Sequence, residues 1–194
     1  MISDLLNRKG IECSYGTVYS YMREMGIKAI VRRKKQPYTK GHQHHIFNNL
    51  LEQNFTTEKP NQVWCTDFTY LNLKNGTKRY NCSIIDLYDR SIVASLNSKW
   101  IDSNLAIETL AIALESNSTN NQLILHSDQG SQYTSREFIA FCAENDITQS
   151  MSRAGNPYDN APMERFYNTM KTEFVYQYSF ETDEDLNQGK SETS

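Results

Sequence analysis

Three acidic residues lie in segments where a charge needs a partner. Asp67 interrupts the aromatic and β-branched segment WCTDFTYL, Asp128 directly follows the apolar segment LILHS, and Glu164 lies in APMERFYNTM. A carboxylate inside a strand otherwise suited to burial is costly unless it is paired or binds a metal. Three converging carboxylates supply the hard oxygen ligands that Mg²⁺ or Mn²⁺ prefers. Two such ions, about 3.5–4 Å apart, promote phosphoryl transfer.

Other acidic residues compete with these three as metal ligands. Asp86 and Asp89 also lie near predicted strand ends. Asp89 precedes Arg90 and is more simply explained by a salt bridge in a turn, and Asp159 by a helix cap. Because the chain has 23 acidic residues, spacing alone leaves the metal site and these structural roles both open.

The residue pattern predicts a mixed sheet covered by helices. Strands are predicted at QVWCTDFTYLNL, RYNCSIIDLY, SIVASLNS, QLILHSD and ITQSMS, and helices at SNLAIETLAIALES, at SREFIAFCAEN and from about Asp159 onwards. Asn75-Gly76 is a strong hairpin signal between the first two strands. The order is β-β-β-α-β-α-β-α, an α/β fold. If strands one and four are neighbours, both aspartates lie at one edge of the sheet.

The last predicted helix has two distinct faces. Its apolar residues recur at steps of three and four and are expected to pack inward: Met163, Phe166, Met170 and Phe174. At 3.6 residues per turn, Glu164, Asn168 and Lys171 fall on a neighbouring stripe. Glu164 can therefore face the aspartates, and Lys171 is placed for a phosphate group.

The N-terminal third differs from the rest of the chain in charge. Residues 1–60 carry ten basic and five acidic residues, whereas the whole chain has a net charge of −3. Residues 2–9 and 15–25 are predicted as two short helices, which fit a helix-turn-helix or any helical hairpin. The basic run Arg32, Arg33, Lys34 and Lys35 follows them. This run either binds DNA phosphates or is a solvated linker.

Composition favours an ordinary globular protein of the cytoplasm. The chain is 38% hydrophobic and 22% charged. Its four cysteines form no CxxC pair, so they are expected to be reduced thiols. The sequence has neither a secretory leader nor an apolar run near the roughly 20 residues of a membrane span.

Three blocks of the sequence closely resemble those of a known enzyme family. WCTDFTYL, HSDQGSQYTS and GNPYDNAPMERFYNTMKTE occur in that order, and 35 residues lie between Asp128 and Glu164. These blocks resemble the catalytic motifs of DDE transposases in the retroviral-integrase superfamily, above all the OrfB product of the insertion-sequence-three family. The segment KGIECSYGTVYSYMREMGIKA more loosely resembles the helix-turn-helix that precedes the core in this family.

The resemblance implies a ribonuclease-H-like fold and assigns roles to particular residues. Asp67, Asp128 and Glu164 would form the triad that binds two Mg²⁺ or Mn²⁺ ions. Lys171 would contact the end of the mobile element, and Tyr158 is a further candidate for DNA contact. The remaining matched residues, which would shape the active-site loop, are His126, Gln132 and Tyr133.

The implied reaction is DNA cleavage followed by strand transfer. Water attacks a phosphodiester at the element's end, and the exposed 3′-hydroxyl then attacks a target phosphodiester. The expected partners are the element's terminal inverted repeats, target DNA and at least one more copy of the chain. A DNA-binding remnant without activity and a ribonuclease-H-like nuclease that hydrolyses without joining are the alternatives.

Four regions are expected along the chain. Residues 1–30 form a partial helix-turn-helix-like segment, 31–60 a basic linker with a short helix at HHIFNNLL, and 61–176 the catalytic core. Residues 177–194 are expected to be an acidic, disordered tail. The family pattern fades after SFETDEDLNQ, and Met1 falls near the second half of the helix-turn-helix region, so a shortened copy of the family's chain is expected.

Overall fold

The computed structural model describes residues 2–27, 45–117 and 122–191, with side chains up to residue 188. The chain divides into two compact units, residues 1–38 and 39–194. The basic run from Arg32 to Lys35, the boundary expected at residue 30 and residues 31–44 of the expected linker lie outside the described residues. Within those described ranges, no helix is long and apolar enough to cross a bilayer.

The first unit contains the two predicted helices. Helix α1 spans Ile2–Arg8 and helix α2 spans Tyr15–Glu24. The side chain of Ser14 caps α2 by accepting the N–H of Thr17 at 3.1 Å, as expected for an N-cap serine. Gly10 adopts a φ of 80° after α1, a conformation that glycine adopts without steric cost.

The second unit is built on a five-stranded mixed sheet. Its strands are β1 (Val63–Asn72), β2 (Lys78–Asp86), β3 (Ile92–Ser98), β4 (Ile124–Ser127) and β5 (Thr148–Met151). The order across the sheet is β3-β2-β1-β4-β5. The first three strands pair antiparallel, and β4 pairs parallel with both β1 and β5. The predicted strand order and the contact between strands one and four are confirmed.

Four helices accompany the sheet. They are α3 (Ser103–Ser116), α4 (Arg136–Glu144), α5 (Ala161–Met170) and α6 (Asp183–Ser191). A 3₁₀ turn at Pro157–Asn160 leads into α5, and a π-helical turn at Lys171–Val175 follows it. The helices predicted at SNLAIETLAIALES, at SREFIAFCAEN and from about Asp159 onwards are therefore confirmed as α3, α4 and α5, whereas α6 is not predicted by the sequence pattern.

Successive residues of β1 point to opposite sides of the sheet, and helices cover both sides. Trp64 packs with Leu110 of α3 and Phe138 of α4 in one hydrophobic cluster. Cys65 packs with Met163 of α5 in the other cluster. The sheet thus lies between two helical layers, and α5 covers the face to which Cys65 points.

The helix expected at HHIFNNLL is not observed. From residue 45 to residue 49 the chain is irregular, and the Asn49 carboxamide accepts the N–H groups of Leu51 and Glu52 at 3.0 Å each. Such a local side-chain bond competes with helix formation. The segment instead bonds to strand β5, through Leu50 N–H to the Ser150 hydroxyl at 2.9 Å.

The expectation of a disordered acidic tail is also wrong for the part described. Phe180 and Leu186 are buried against Leu71 and Leu73 of the β1–β2 hairpin. Acidic residues of this segment pair with bases of the hairpin: Glu181 with Lys74 at 2.6 Å, and Asp183 with Arg79. Because the segment is polar overall, its sequence pattern does not single out Phe180 and Leu186 as buried residues.

Candidate active site

Asp67 of β1 and Asp128, which follows β4, each lie two residues beyond the last pair of the β1–β4 ladder. That ladder pairs Val63 with Ile124 and Cys65 with His126. The same register, if continued by two residues, would set Asp67 opposite Asp128. Strand β4 ends at Ser127, so Asp128 is the first residue beyond it. Because side chains alternate along a strand, Asp67 points to the same face as Cys65, the face that α5 covers.

Helix α5 is fastened to Asp67 at two points that flank Glu164. The Asn160 amide Nδ2 donates to Asp67 Oδ2 at 3.3 Å, and the Tyr167 hydroxyl donates to the Asp67 carbonyl at 2.5 Å. Asn160 is four residues before Glu164 and Tyr167 three residues after it, so all three lie on one side of the helix. Half-buried Glu164 is therefore carried by the helix face that covers Asp67.

Each aspartate is held by a local hydrogen bond. Asp67 Oδ1 accepts the N–H of Phe68 at 2.7 Å, and Asp128 Oδ1 accepts the N–H of Gly130 at 2.8 Å. Across residues 2–27, 45–117 and 122–191, no three Asp, Glu, His or Cys side chains converge closely enough to hold a metal ion. Carboxylates repel one another when no cation neutralises them. The candidate ligand atoms of Asp67, Asp128 and Glu164 are all carboxylate oxygens, which are the ligands that a hard divalent cation prefers.

The turn after Asp128 leaves little room for a side chain at Gly130. A Cβ atom added to Gly130 would lie 2.9 Å from Asp128 Oδ1 and 3.1 Å from Gln132 Oε1. Both distances are tighter than ordinary contacts with a Cβ atom. The missing side chain of Gly130 therefore lets the turn fold closely around the Asp128 carboxylate.

Asp159 anchors the loop between β5 and α5. Its carboxylate is fully buried and accepts two bonds from the Arg153 guanidinium, at 2.8 and 2.9 Å, and one from Gln53 Nε2 at 2.9 Å. The guanidinium beside it holds the pKa of Asp159 well below its ordinary value. Instead of the expected helix cap, Asp159 is thus the buried partner of an ion pair with the exposed Arg153 side chain, which fixes the backbone next to Asn160.

His126 connects β4 to the same loop. Its Nε2 lies 2.9 Å from the Asp159 carbonyl, which can only accept, so Nε2 carries the proton. Nδ1 lies 2.9 Å from the Ser150 hydroxyl of β5 and can accept from it. Burial lowers the pKa of His126, an effect that its bond to Asp159 opposes. The neutral imidazole of His126, in β4, therefore bonds both to Ser150 of β5 and to Asp159, the residue preceding Asn160.

Gln132 and Tyr133 occupy different environments. Gln132 Nε2 donates to the Ile101 carbonyl at 3.3 Å. Tyr133 is fully buried, with its hydroxyl 3.0 Å from the Thr66 hydroxyl, and burial raises its pKa. Tyr133 therefore supports β1 from the face opposite α5, in the hydrophobic cluster of Trp64.

Two of the DNA-contact candidates lie at opposite ends of α5. Tyr158 lies in the 3₁₀ turn before α5 and is 72% exposed. Lys171 follows the last residue of α5, where the π-helical turn begins. The run from Arg32 to Lys35 lies outside the described residues.

The competing acidic residues have structural partners. Buried Asp86 accepts the N–H groups of Asn61 at 2.7 Å and Tyr88 at 2.9 Å. Asp89 accepts the N–H of Ser91 at 2.9 Å, whereas the Arg90 guanidinium donates to the Phe55 carbonyl at 2.9 Å. Both aspartates thus stabilise the loops around the sheet.

Sequence reasoning missed two residues beside Asp67. The sequence pattern does not single out Asn160, which directly follows Asp159 in PYDNAP. Tyr167 falls beside the apolar stripe of α5, and nothing in the pattern identifies its hydroxyl as a partner of the Asp67 backbone.

Family models match nearly the whole chain. An integrase core domain model matches residues 57–157, a second integrase core domain model matches residues 145–191, and an HTH-like domain model matches residues 1–35. The first of these spans more than half of the sequence.

Curated relatives are insertion-sequence transposases. The transposase for insertion sequence element IS904 of Lactococcus lactis is 37% identical over 182 residues, covering 93% of this chain and 72% of the relative. Transposase InsF for insertion sequence IS3A of Escherichia coli is 33% identical over 176 residues, 90% of this chain. The chain spans 61% of the length of InsF.

Solved structures with similar folds are retroviral. The simian T-cell lymphotropic virus intasome in complex with PP2A regulatory subunit B56 gamma contains a chain with a TM-score of 0.59 and 22% identity, covering 96% of this chain and 66% of that one. The HTLV-2 integrase catalytic core domain in complex with magnesium has a TM-score of 0.53 and 19% identity, covering 67% and 83%. The fold is therefore ribonuclease-H-like, and the chain belongs to the integrase core domain family of insertion-sequence transposases.

Proposed function

We propose that this chain is a DDE-type DNA transposase that cleaves the end of a mobile element and joins it to target DNA. The observation that supports the proposal is the parallel register of β1 and β4, whose last pair, Cys65 with His126, lies two residues before Asp67 and Asp128 in their respective segments. Related proteins of the family are named transposases, in agreement with this activity.

Asp67, Asp128 and Glu164 would hold the divalent cations, for which we propose two Mg²⁺ or Mn²⁺ ions. Bound there, the ions would supply charge stabilisation for phosphoryl transfer. The related HTLV-2 core was solved with magnesium, which supports this choice of ion. The oxygen donors at the site agree with it as well.

The remaining work of the site is positioning, because phosphoryl transfer needs little covalent chemistry from the protein. Tyr167 and Asn160 hold α5 against Asp67, and the turn at Gly130 orients Asp128. Water attacks the phosphodiester at the element's end and the 3′-oxygen leaves as a hydroxyl. That hydroxyl then attacks a target phosphodiester, and one bond is exchanged for another without external energy.

DNA would be held by several parts of the chain. We propose that the helical first unit and the run Arg32, Arg33, Lys34 and Lys35 bind the element's end, and that Tyr158 and Lys171 contact DNA near the site. Two ends must be joined in one event, so we propose at least a dimer on DNA; the HTLV-2 core was solved in a dimeric form. The expected place of action is the bacterial cytoplasm, at the nucleoid.

A cleavage assay tests the proposal. The substrate is an oligonucleotide carrying the terminal repeat that flanks the gene, incubated with Mg²⁺. Asp67→Asn, Asp128→Asn and Glu164→Gln should each abolish cleavage, while DNA binding persists. Asp89→Asn is the matched control, because Asp89 holds a loop through Ser91, and it should cut normally.

The outcomes separate the candidate functions. Normal cutting by any of the three triad variants would show that the triad assignment is wrong. Cleavage without strand transfer by the unchanged chain would identify a hydrolytic nuclease. Binding without cleavage would identify a DNA-binding remnant.

A further inference from the structure

Only one of the two polar groups of the Asn160 side-chain amide has a hydrogen-bond partner among the described residues. Its Nδ2 donates to Asp67 Oδ2 at 3.3 Å. Its Oδ1 is buried and, among the residues that the structure describes, meets no hydrogen-bond donor. The whole residue is only 9% exposed. A buried acceptor without a partner is unusual and needs a physical reason.

Asn160 also does not act as a helix cap. It occupies the N-cap position of α5, yet its side chain makes no capping hydrogen bond. Asparagine at this position ordinarily spends its Oδ1 on an N–H of the first turn. Asn156, the N-cap of the 3₁₀ turn in the same loop, does so, accepting the N–H of Tyr158 at 3.3 Å.

The orientation of the amide follows from the chemistry of Asp67. A carboxylate only accepts hydrogen bonds, so the NH₂ group must face it and the oxygen must face away. Asp67 thereby gains a hydrogen-bond donor, while Oδ1 of Asn160 is left without a hydrogen-bond partner among the described residues. A cation bound to Asp67 would reverse this preference, because it repels the NH₂ group and attracts the carbonyl oxygen.

We propose that Asn160 is a cation-responsive member of the site, whose amide turns its Oδ1 toward the cation on Asp67 or toward a water bound to that cation. This inference rests on the proposed function. Amide oxygens are ordinary neutral donors for hard divalent cations or for their waters. The terminal torsion of asparagine is broad, so the amide can turn without a change in the backbone.

The backbone at this point is held firmly. The carbonyl of Asp159 accepts from His126 Nε2, and the Asp159 carboxylate is bound by Arg153 and Gln53. The residue before Asn160 is thus fixed by both its backbone and its side chain. Rotation is confined to the Asn160 side chain, which suits a ligand that must respond to a cation while α5 stays in place.

The first test uses the full chain labelled with ¹⁵N, without DNA. Titration with MgCl₂ should shift the side-chain amide signals of Asn160, assigned by their absence in Asn160→Asp. The side-chain signals of Asn156 should stay unchanged. Unmoved Asn160 signals at saturating Mg²⁺ would overturn the inference.

The second test measures Mn²⁺ binding from the loss of the free-ion electron paramagnetic resonance signal. Asn160→Ala should weaken binding about tenfold or more, as is typical when a residue supporting a metal site is lost. Asn160→Asp, which keeps an oxygen at the same position, should retain it. Asn156→Ala, which removes the ordinary cap of the same loop, should bind Mn²⁺ like the unchanged chain.

The controls separate the failure of this inference from that of the proposed function. If Asp67→Asn binds Mn²⁺ as tightly as the unchanged chain, the proposed cation site itself is wrong. If Asp67→Asn loses binding and Asn160→Ala does not, only the role of Asn160 is wrong. Circular dichroism establishes that each variant is folded, and the titration of the unchanged chain decides the question if Asn160→Ala is not.

Discussion

The hydroxyl of Tyr167 donates to the backbone carbonyl of Asp67 at 2.5 Å, and it also accepts the N–H of Ser83 at 3.0 Å. Ser83 is the residue paired with Asp67 across the β1–β2 ladder. Helix α5 is thus attached to the sheet at the strand position of the first candidate ligand, three residues from Glu164. This attachment sets the distance between the helix and the strand.

Tyr167→Phe should therefore reduce cleavage more than its loss of stability accounts for. Removing the hydroxyl leaves two backbone groups without this partner, at a cost of about 1–2 kcal/mol, and frees α5 to shift. Urea denaturation and cleavage rates are the measurements. Tyr133→Phe is the control, because it removes a buried hydroxyl bond to Thr66 on the opposite face. Equal loss of cleavage in both variants would contradict a specific positioning role for Tyr167.

Gly130→Ala should disable cleavage while the fold is retained. The new methyl group would lie 2.9 Å from Asp128 Oδ1, so the carboxylate or the turn must move. We expect a loss of at least about 100-fold in rate, since a misplacement of about 1 Å costs this much in well-oriented reactions. Gly76→Ala, in a hairpin turn with a φ of 83° and open space around it, controls for destabilisation alone. Full activity of Gly130→Ala would show that the close turn is not required.

His126 should make stability depend on pH in the mildly acidic range. Burial lowers its pKa in the folded protein, whereas the unfolded chain takes up the proton near pH 6.5. The free energy of unfolding should therefore fall as the pH drops below about 6.5. In His126→Gln the change in stability between pH 7.5 and 5.5 should be smaller, measured by urea denaturation. An unaltered pH dependence in His126→Gln would refute this source.

The Arg153–Asp159 pair should protect the fold against acid. Arg153 holds the pKa of Asp159 well below its ordinary value. The resulting stabilisation is present above about pH 3.9, the ordinary value for aspartate, and is lost as the pH falls further. Arg153→Gln should move the acid-unfolding midpoint, followed by circular dichroism, to higher pH. Arg165→Gln, which changes an exposed side chain of α5, should leave the acid-unfolding midpoint in place. A midpoint unchanged in both variants would exclude this role of the Arg153–Asp159 pair.

The basic run should control the salt dependence of DNA binding. Replacing Arg32, Arg33, Lys34 and Lys35 by glutamine should weaken binding to every DNA sequence. The slope of log affinity against log salt should flatten by up to about four units, as expected for four lost phosphate contacts. An unrelated oligonucleotide of equal length is the control for sequence independence. An unchanged slope would mean that the run is a solvated linker.

The sequence predicts most of the sheet because its signals are local. Strand alternation and Asn75-Gly76 identify the hairpin, and the pairing of β1 with β4 is one of the arrangements that the order of elements allows. The false helix near Asn49 shows the limit, since one side-chain bond to the neighbouring backbone overrides an apolar pattern.

The site itself divides in the same way. Asp67 is conspicuous because it is a charge in an apolar strand. The roles of Asn160 and Tyr167 are not visible, because their bonds to Asp67 join residues 93 and 100 positions apart. Periodicity carries no trace of such contacts. The role of Asp159 is not visible for a related reason, since its hydrogen-bond partners include Gln53, 106 positions away.

The strand order also determines when the site can exist. During translation, the β1–β2 hairpin leaves the ribosome before β4, the parallel neighbour of β1 that precedes Asp128, because β3 and α3 lie between them in the chain. The helix bearing Glu164 comes later still. A nascent chain that ends before α5 therefore lacks the third member of the proposed triad, so the proposed cation site cannot be complete until that helix has been synthesised.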